Sequence, residues 1–252
     1  MDIQHAPRLY VINDLGQGLT LTIEANQAHY LQHVMRLKAS DALRLFNGRD
    51  GEWAGVISEI KKRSVLVTLQ KQLKPQKGEP DLWLCCAPIK KAHFDYMIEK
   101  ATELGVARIK PVLTSRTQIR EVNVERCTSI ATEAAEQSER MNIPVIAKPV
   151  TLAELSTGWP QDRTLIVCAE FGQALPLKQA FQSPALQTAS KVAIVTGPEG
   201  GFTEDELQKF HAIPNAVFVQ LGPRILRADT AAISAISCWQ AACGDWTQDI
   251  RN

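Results

Sequence analysis

The sequence predicts an α/β protein in which a small β-rich domain precedes a larger domain built around a parallel sheet. Residues 1–72 contain short segments in which apolar and polar residues alternate with a period of two, which is typical of half-buried strands. Residues 73–80 are polar and contain proline and glycine, as linkers do. In residues 81–252 nearly continuous apolar runs alternate with helical patterns, which indicates parallel strands covered by helices.

The front domain is predicted from short strands and turn signals. The strand pattern occurs at 19–23, 43–45 and 65–69. The turn dipeptides Asn47-Gly48 and Asp50-Gly51 favour a hairpin over residues 42–57. Helical spacing predicts one helix between the strands, with a buried face made of Ala28, Leu31, Val34 and Met35. We expect a small barrel or sandwich.

The second domain is predicted from five apolar runs, at 82–87, 108–113, 164–169, 191–196 and 216–221. The first helix between these runs ends at Gly105. Its one apolar face consists of Phe94, Met97, Ile98, Ala101 and Leu104. Thr203 and Glu206 have the spacing of a capping box. A closing helix begins near Asp229 and is expected to bury Ile233, Ile236 and Trp239.

Composition excludes several classes of protein. A chain of 252 residues, 45% of them hydrophobic, can bury roughly 70% of its unfolded surface. No apolar run approaches the ~18–20 residues that span a bilayer, and the N-terminus lacks a signal-peptide layout. We therefore expect a soluble, cytoplasmic protein without a membrane partner.

The 28 Lys and Arg against 27 Asp and Glu give no overall basic footprint. The six cysteines lack metal-binding spacing, so no metal is expected.

Two loops are candidates for a ligand site. Residues 197–202, Gly-Pro-Glu-Gly-Gly-Phe, follow one predicted strand, and residues 221–227, Leu-Gly-Pro-Arg-Ile-Leu-Arg, follow another. The carboxyl ends of strands are where open α/β folds bind ligands, and glycines allow close approach of the backbone. The glycine spacing fits neither a Walker A loop nor a dinucleotide fingerprint, which disfavours ATP and NAD. The structural alternative is a pair of tight strand-to-helix turns.

A third segment places Glu133, Gln137 and Arg140 at helical spacing, so that they would share one face. The alternative is an ordinary solvated face.

These motifs together resemble the SPOUT class of RNA methyltransferases, and more narrowly the RsmE family of bacterial 16S rRNA uridine-N3 methyltransferases. The similarity rests on 197–206 and 221–232 and continues at 29–36, 46–48, 100–106, 114–116 and 133–140. It implies a small PUA-like β-barrel at the N-terminus, followed by a SPOUT-type α/β domain with a deep C-terminal trefoil knot. It also implies S-adenosylmethionine as the cofactor, a homodimer, and uridine 1498 of 16S rRNA as the target, in the assembled small subunit.

The resemblance also implies roles for individual residues. The cofactor loops would contain Gly197, Pro198, Glu199, Gly200 and Gly201, then Leu221, Gly222, Ile225, Leu226 and Arg227, with Ala169 and Glu170 in a third loop. The arginines expected to face RNA are Arg8, Arg36, Arg116 and Arg140. The family commonly has glutamate where this chain has Asp229, and threonine where it has Ala228.

Methylation of uridine N3 requires loss of a proton, which a base or a cation beside the uracil oxygen would assist. The catalytic candidates are Arg227 for orienting the uracil oxygen, and Asp229 or Glu133 as the base. Arg227 could instead bind a phosphate, Glu133 could form a salt bridge between subunits, and RNA or water could supply the base. Two other functions remain open. One is methylation of a different nucleoside or of a ribose 2′-hydroxyl, and the other is a non-catalytic ribosome-assembly factor.

Overall fold

The computed structural model describes residues 3–169 and 174–247, and the chain divides into two compact units. The first unit comprises Met1–Gly78 together with Ala135–Asn142, and the second comprises Glu79–Ala134 and Ile143–Asn252. The division after Gly78 falls inside the stretch 73–80 that the sequence marks as a linker, although residues 73 and 74 still belong to a strand. The grouping of Ala135–Asn142 with the first unit has no counterpart in the sequence analysis.

The described part of the first unit contains one sheet of five strands, in the order β1-β3-β4-β5-β2. The strands are β1 (Arg8–Tyr10), β2 (Thr20–Glu24), β3 (Ala42–Phe46), β4 (Glu52–Lys61) and β5 (Ser64–Lys74). β1 and β3 pair in parallel and the other pairs are antiparallel. The predicted hairpin over 42–57 is confirmed, since Ala42 lies opposite Val56. The apolar residues that alternate along the strands form the core of this unit.

The helical segment of the first unit differs from its prediction. Helix α1 (Ala25–His29) continues as one π-helical turn over Tyr30–Val34. Ala28 and Leu31 are buried as predicted, but Val34 is 60% exposed and Met35 39%. A π-turn closes its hydrogen bonds over five residues and not four, so side chains at ordinary helical spacing rotate away from the core. The prediction of one continuous buried face is therefore wrong for the last two residues.

The second unit contains a sheet whose paired strands all run parallel, in the order β11-β13-β10-β12-β6-β7-β8, with β9 pairing to β7. Its strands are β6 (Asp81–Cys86), β7 (Arg108–Leu113), β8 (Val145–Ile146), β9 (Val150–Thr151), β10 (Thr164–Cys168), β11 (Leu175–Pro176), β12 (Lys191–Thr196) and β13 (Ala216–Gln220). The five predicted strands correspond to β6, β7, β10, β12 and β13. The three remaining strands have two residues each, too few to show a pattern.

Helices connect these strands. They are α2 (Lys91–Glu103), α3 (Val124–Gln137), α4 (Leu152–Thr157), α5 (Leu177–Phe181), α6 (Pro184–Gln187), α7 (Glu204–His211) and α8 (Ala228–Ala242). The capping box of α7 is confirmed, with Thr203 and Glu206 each accepting a hydrogen bond from the other's backbone amide. Helix α8 buries Ile236 and Trp239 as predicted, whereas Ile233 is only half-buried. No helix within the described ranges is long and apolar enough to cross a membrane.

Helix α3 ends earlier than the motif analysis expected. Its last residue is Gln137, and Glu139 has a φ of +59°, which takes the chain out of the helical path. Arg140 therefore lies beyond the helix. The predicted helical face shared by Glu133, Gln137 and Arg140 is wrong for the arginine.

Candidate functional site

A cavity of about 360 Å³ opens at the carboxyl ends of β10, β12 and β13 in the second unit. This is where parallel α/β sheets bind ligands. Most of the residues expected to bind the cofactor line it, namely Ala169, Gly197, Pro198, Gly200, Gly201, Leu221, Gly222, Ile225 and Leu226. Glu199 and Arg227 belong to the same loops but do not line the cavity, and both are exposed. Glu170 lies outside the described residues.

Glycines give the cavity wall its shape. Gly201 has a φ of +66° and Gly222 a φ of +114°, backbone conformations in which a Cβ is strained. A Cβ on Gly200 would come within 3.2 Å of Arg116 Cδ. These positions let the two loops expose backbone amides and carbonyls directly to the space between them.

Several residues of the wall had no role predicted from the sequence. Thr196 ends β12, and its hydroxyl is buried without a hydrogen-bond partner among the described residues. A buried hydroxyl of this kind is costly unless a ligand or water satisfies it. Cys168 also lines the cavity, and burial raises the pKa of its thiol to about 12, so it is a neutral thiol at neutral pH. The other residues of this kind are Phe202, Leu207, Gln220, Pro223, Arg224, Ala228 and Ala231.

Arg116 belongs to the cavity wall, although the sequence analysis expected it to face RNA. Its Nη1 donates to the carbonyl oxygen of Gly200 at 2.5 Å. Glu206 holds the arginine's loop in place, because its carboxylate accepts from the amide of Ser115 at 2.6 Å and from that of Thr203 at 2.9 Å. Burial favours a raised pKa for Glu206, but the hydrogen bonds from Thr203 and Ser115 outweigh it and lower the pKa.

The first turn of α8 carries the Asp229 candidate. Its Oδ2 lies 2.8 Å from Nδ1 of His93 in α2, and its Oδ1 accepts from the amide of Thr230 at 2.8 Å. Burial by itself raises the pKa of this carboxyl, but the hydrogen bonds from His93 and Thr230 outweigh it, so the pKa lies below its ordinary value. Asp229 does not line the cavity, but Ala228 and Ala231 beside it do. No local sequence signal identified His93.

The other catalytic candidates are at the surface. Arg227 is the N-cap residue of α8, is exposed, and caps no backbone amide with its side chain. Glu133 is exposed on α3 and does not line the cavity. Within residues 3–169 and 174–247 no three His, Cys, Asp or Glu side chains are grouped as metal ligands would be.

Two of the arginines expected to face RNA are buried in the first unit. The Arg8 side chain is 2% exposed, and it donates to Glu52 Oε2 at 2.7 Å and to the carbonyls of Ala135 and Arg140 at 2.7 and 2.8 Å. Its guanidinium also stacks on Phe46, 3.7 Å from the ring centre. Arg140 itself is 7% exposed. Arg8 and Arg140, which the resemblance places toward RNA, are therefore buried in this structure, whereas Arg36 is exposed.

Comparisons with known proteins match both parts of the chain. A family model described as an RNA methyltransferase domain matches residues 77–240, and one described as an RNA methyltransferase PUA domain matches residues 23–70. A protein from Rickettsia conorii named ribosomal RNA small subunit methyltransferase E is 38% identical over 91% of this chain and 93% of its own. A protein of the same name from Synechocystis is 32% identical over 92% of this chain and 76% of its own.

Two solved structures have the same fold along nearly the whole chain. A ribosomal RNA small subunit methyltransferase E from Neisseria gonorrhoeae, bound to S-adenosylmethionine, has a TM-score of 0.86 and 27% identity, covering 96% of this chain and 100% of that one. A putative methyltransferase from Legionella pneumophila, in complex with S-adenosylmethionine, has a TM-score of 0.84 and 30% identity, covering 96% and 99%.

The parallel sheet with its glycine-walled cavity, preceded by a PUA domain, defines an RNA methyltransferase. The identity of 38% extends over almost all of both chains, which is far more than a shared fold requires. The chain belongs to the ribosomal RNA small subunit methyltransferase E family.

Proposed function

We propose that this protein transfers a methyl group from S-adenosylmethionine to N3 of the uridine that the family modifies, position 1498 of 16S rRNA. The observation that carries this proposal is the cavity at the carboxyl ends of β10, β12 and β13. Both loops that resemble the family's cofactor loops line it. The two related structures with S-adenosylmethionine bound cover 96% of this chain, which supports the same cofactor here.

The residues of the cavity fit this cofactor. The unpartnered hydroxyl of Thr196 can bond to a polar group of the ligand, and the backbone around Gly201 and Gly222 offers further donors and acceptors. Leu221, Ile225 and Leu226 would offer apolar surface to the adenine ring. When bound, the cofactor supplies a methyl group already activated on a sulfonium. Alignment is therefore a large part of the protein's own task, and it can contribute roughly 7–11 kcal/mol.

The target nitrogen must lose its proton before its lone pair can attack. Asp229 is a poor choice for the base, because hydrogen bonding lowers its pKa, and efficient bases titrate near the working pH. Its partner His93 is the alternative that the hydrogen-bond geometry offers. With Nδ1–H donating to Asp229, the lone pair of Nε2 is left to accept a proton, and Nε2 has no partner among the described residues. His93, like Asp229, does not line the cavity, but its side chain is 43% exposed and open to a substrate base. We propose that His93 takes the N3 proton and that Asp229 positions it.

Arg227 is proposed to orient the uracil oxygen beside the nitrogen that reacts. It sits at the start of α8, immediately before the cavity residue Ala228, and its guanidinium is exposed. A cation there would stabilise the negative charge that builds on the oxygen when N3 is deprotonated. Glu133 remains a candidate for a subunit salt bridge, since it is exposed and outside the cavity wall.

For RNA binding we retain Arg36, which is exposed, and assign Arg8 and Arg140 to the interior of the first unit. Arg116 is proposed to act on the cofactor side, through its bond to Gly200. The closed barrel, the trefoil knot, the homodimer and the use of assembled subunits stay predictions from the family resemblance.

The proposal is tested with purified protein, labelled S-adenosylmethionine and unmodified small ribosomal subunits, followed by digestion of the RNA and mass spectrometry of nucleosides. Appearance of N3-methyluridine is the expected result. Label in a different nucleoside, or on a ribose, would support methyltransferase activity but overturn uridine N3 as the target. Cofactor binding without any transfer, on subunits and on naked rRNA alike, would favour a non-catalytic assembly factor.

A further inference from the structure

A second cleft, of about 470 Å³, lies in the first unit and has no part in the site described above. One wall is helical and carries His29 and His33, whose rings are 4.6 Å apart between centres. The other wall is the turn between β4 and β5, which carries Lys62 and Arg63. Four basic side chains from two separate elements thus line one concave surface.

The two walls are bonded to each other. The side-chain amide of Gln32 donates to the carbonyl of Lys61 at 3.0 Å and to that of Ser64 at 3.4 Å. These bonds tie the helical segment to both ends of the turn. The cleft is therefore held in shape by hydrogen bonds between its two walls.

The charges of the cleft are largely uncompensated. Neither Lys62 nor Arg63 has an ion pair among the described residues, whereas the neighbouring Lys61 pairs with Glu59 at 3.4 Å. Glu24 contributes one negative charge to the lining. Two cations against this carboxylate leave +1 with both imidazoles neutral, and +3 with both protonated. Lysine, arginine and imidazolium are all hydrogen-bond donors suited to phosphate oxygens.

We infer that this cleft binds a backbone phosphate of the RNA substrate. The inference rests on the proposed function, which makes RNA the substrate. All lining residues fall within the stretch 23–70 that matches an RNA methyltransferase PUA domain. Tyr30, 40% exposed on the same helical segment, offers a ring on which an unpaired base can stack.

The test measures the affinity of the full chain for unmodified small subunits and for naked 16S rRNA, across a series of salt concentrations. The double variant Lys62→Ala with Arg63→Ala removes two phosphate ligands. We expect its affinity to fall about tenfold, and the slope of log affinity against log salt to become shallower by about 1.4–1.8. The double variant His29→Ala with His33→Ala should also weaken RNA binding. Lys62→Arg with Arg63→Lys should retain most of it.

The matched control is Lys71→Ala with Lys77→Ala, which removes the same charge from exposed positions outside the cleft. A loss no larger than that of the control would overturn the proposal. Loss of subunit binding with unchanged binding of naked rRNA would overturn it too, since it would indicate a ribosomal protein as the partner.

Two further measurements separate this inference from the proposed function. Calorimetry with S-adenosylmethionine should give the same affinity for the cleft variant and the parent. Turnover should show a raised KM for subunits with unchanged kcat. If the parent protein methylates no uridine N3 while the cleft variant still loses RNA affinity, the proposed reaction fails and the phosphate cleft remains. If the cleft variant binds RNA normally while the parent methylates uridine N3, the phosphate cleft fails and the proposed reaction remains.

Discussion

The imidazole of His93 and the carboxylate of Asp229 join the first turns of α2 and α8, with Nδ1 and Oδ2 2.8 Å apart. The carboxylate is nearly buried, at 11% side-chain exposure, whereas the imidazole is 43% exposed. A buried acid that holds an accessible imidazole is the arrangement in which histidine acts as a base. Asp229 stands where the family usually has glutamate. In this chain the shorter carboxylate still reaches His93.

The first prediction concerns His93. His93→Gln keeps a donor for Asp229 but removes the group that accepts a proton, so kcat should fall by about 10²-fold or more. Single-turnover methylation of small subunits measures the loss. The affinity for S-adenosylmethionine serves as the control and should not change. A His93→Gln protein that turns over at the parent's rate would assign the role of base to another group.

The second prediction concerns the pH dependence of stability. Because the folded-state pKa of Asp229 lies below its ordinary value near 3.8, its contribution is complete above that value and is lost as the pH falls. Asp229→Asn should therefore lower the free energy of unfolding by about 1 kcal/mol at pH 7, and by less at pH 3, which lies below the ordinary pKa of the carboxyl. Urea unfolding at both pH values measures the difference. Glu125→Gln, a charge removed from the first turn of α3, is the control and should cost less. An equal loss at both pH values would contradict a stabilising role for the ionised Asp229 carboxylate.

The third prediction concerns Arg116, for which sequence and structure differ. The aliphatic part of its side chain covers Gly200 and its Nη1 bonds to the Gly200 carbonyl, so Arg116→Ala should loosen the glycine loop. We expect about a tenfold weaker affinity for S-adenosylmethionine by calorimetry. Arg120→Ala, at an exposed position outside the cavity wall, should leave it unchanged. Weaker RNA binding with unaltered cofactor affinity would instead support the role that the sequence suggested.

The fourth prediction separates the interior arginine from the exposed one. Arg8→Ala leaves Glu52 buried without its main partner, which should lower the free energy of unfolding by about 3–5 kcal/mol. Arg36→Ala should change it by less than about 0.5 kcal/mol while weakening the binding of small subunits. Urea titration and subunit binding on the same preparations test the contrast. A stable Arg8→Ala protein with impaired RNA binding would show that Arg8 faces the substrate.

The parts of the fold that depend on local pattern were predictable. The five long strands of the second unit, the capping box at Thr203 and the end of α2 at Gly105 follow from periodicity and from residues within one or two turns. The two cavity loops were also identified, because glycine-rich segments after buried strands have a specific chemical use. The π-turn after α1 was not, since nothing in the apolar spacing distinguishes it from an ordinary helical turn.

The sequence by itself determined the family, the two-part organisation and the loops that line the cavity, since these depend on composition, periodicity and contiguous motifs. Only the tertiary structure decided which side chains meet. His93 and Asp229 are 136 positions apart, Arg116 and Gly200 84 apart, and Arg8 and Glu52 44 apart. An arginine or histidine carries no local sign of whether it will be buried beside a carboxylate or left in solvent. That outcome depends on how strands and helices distant in sequence pack.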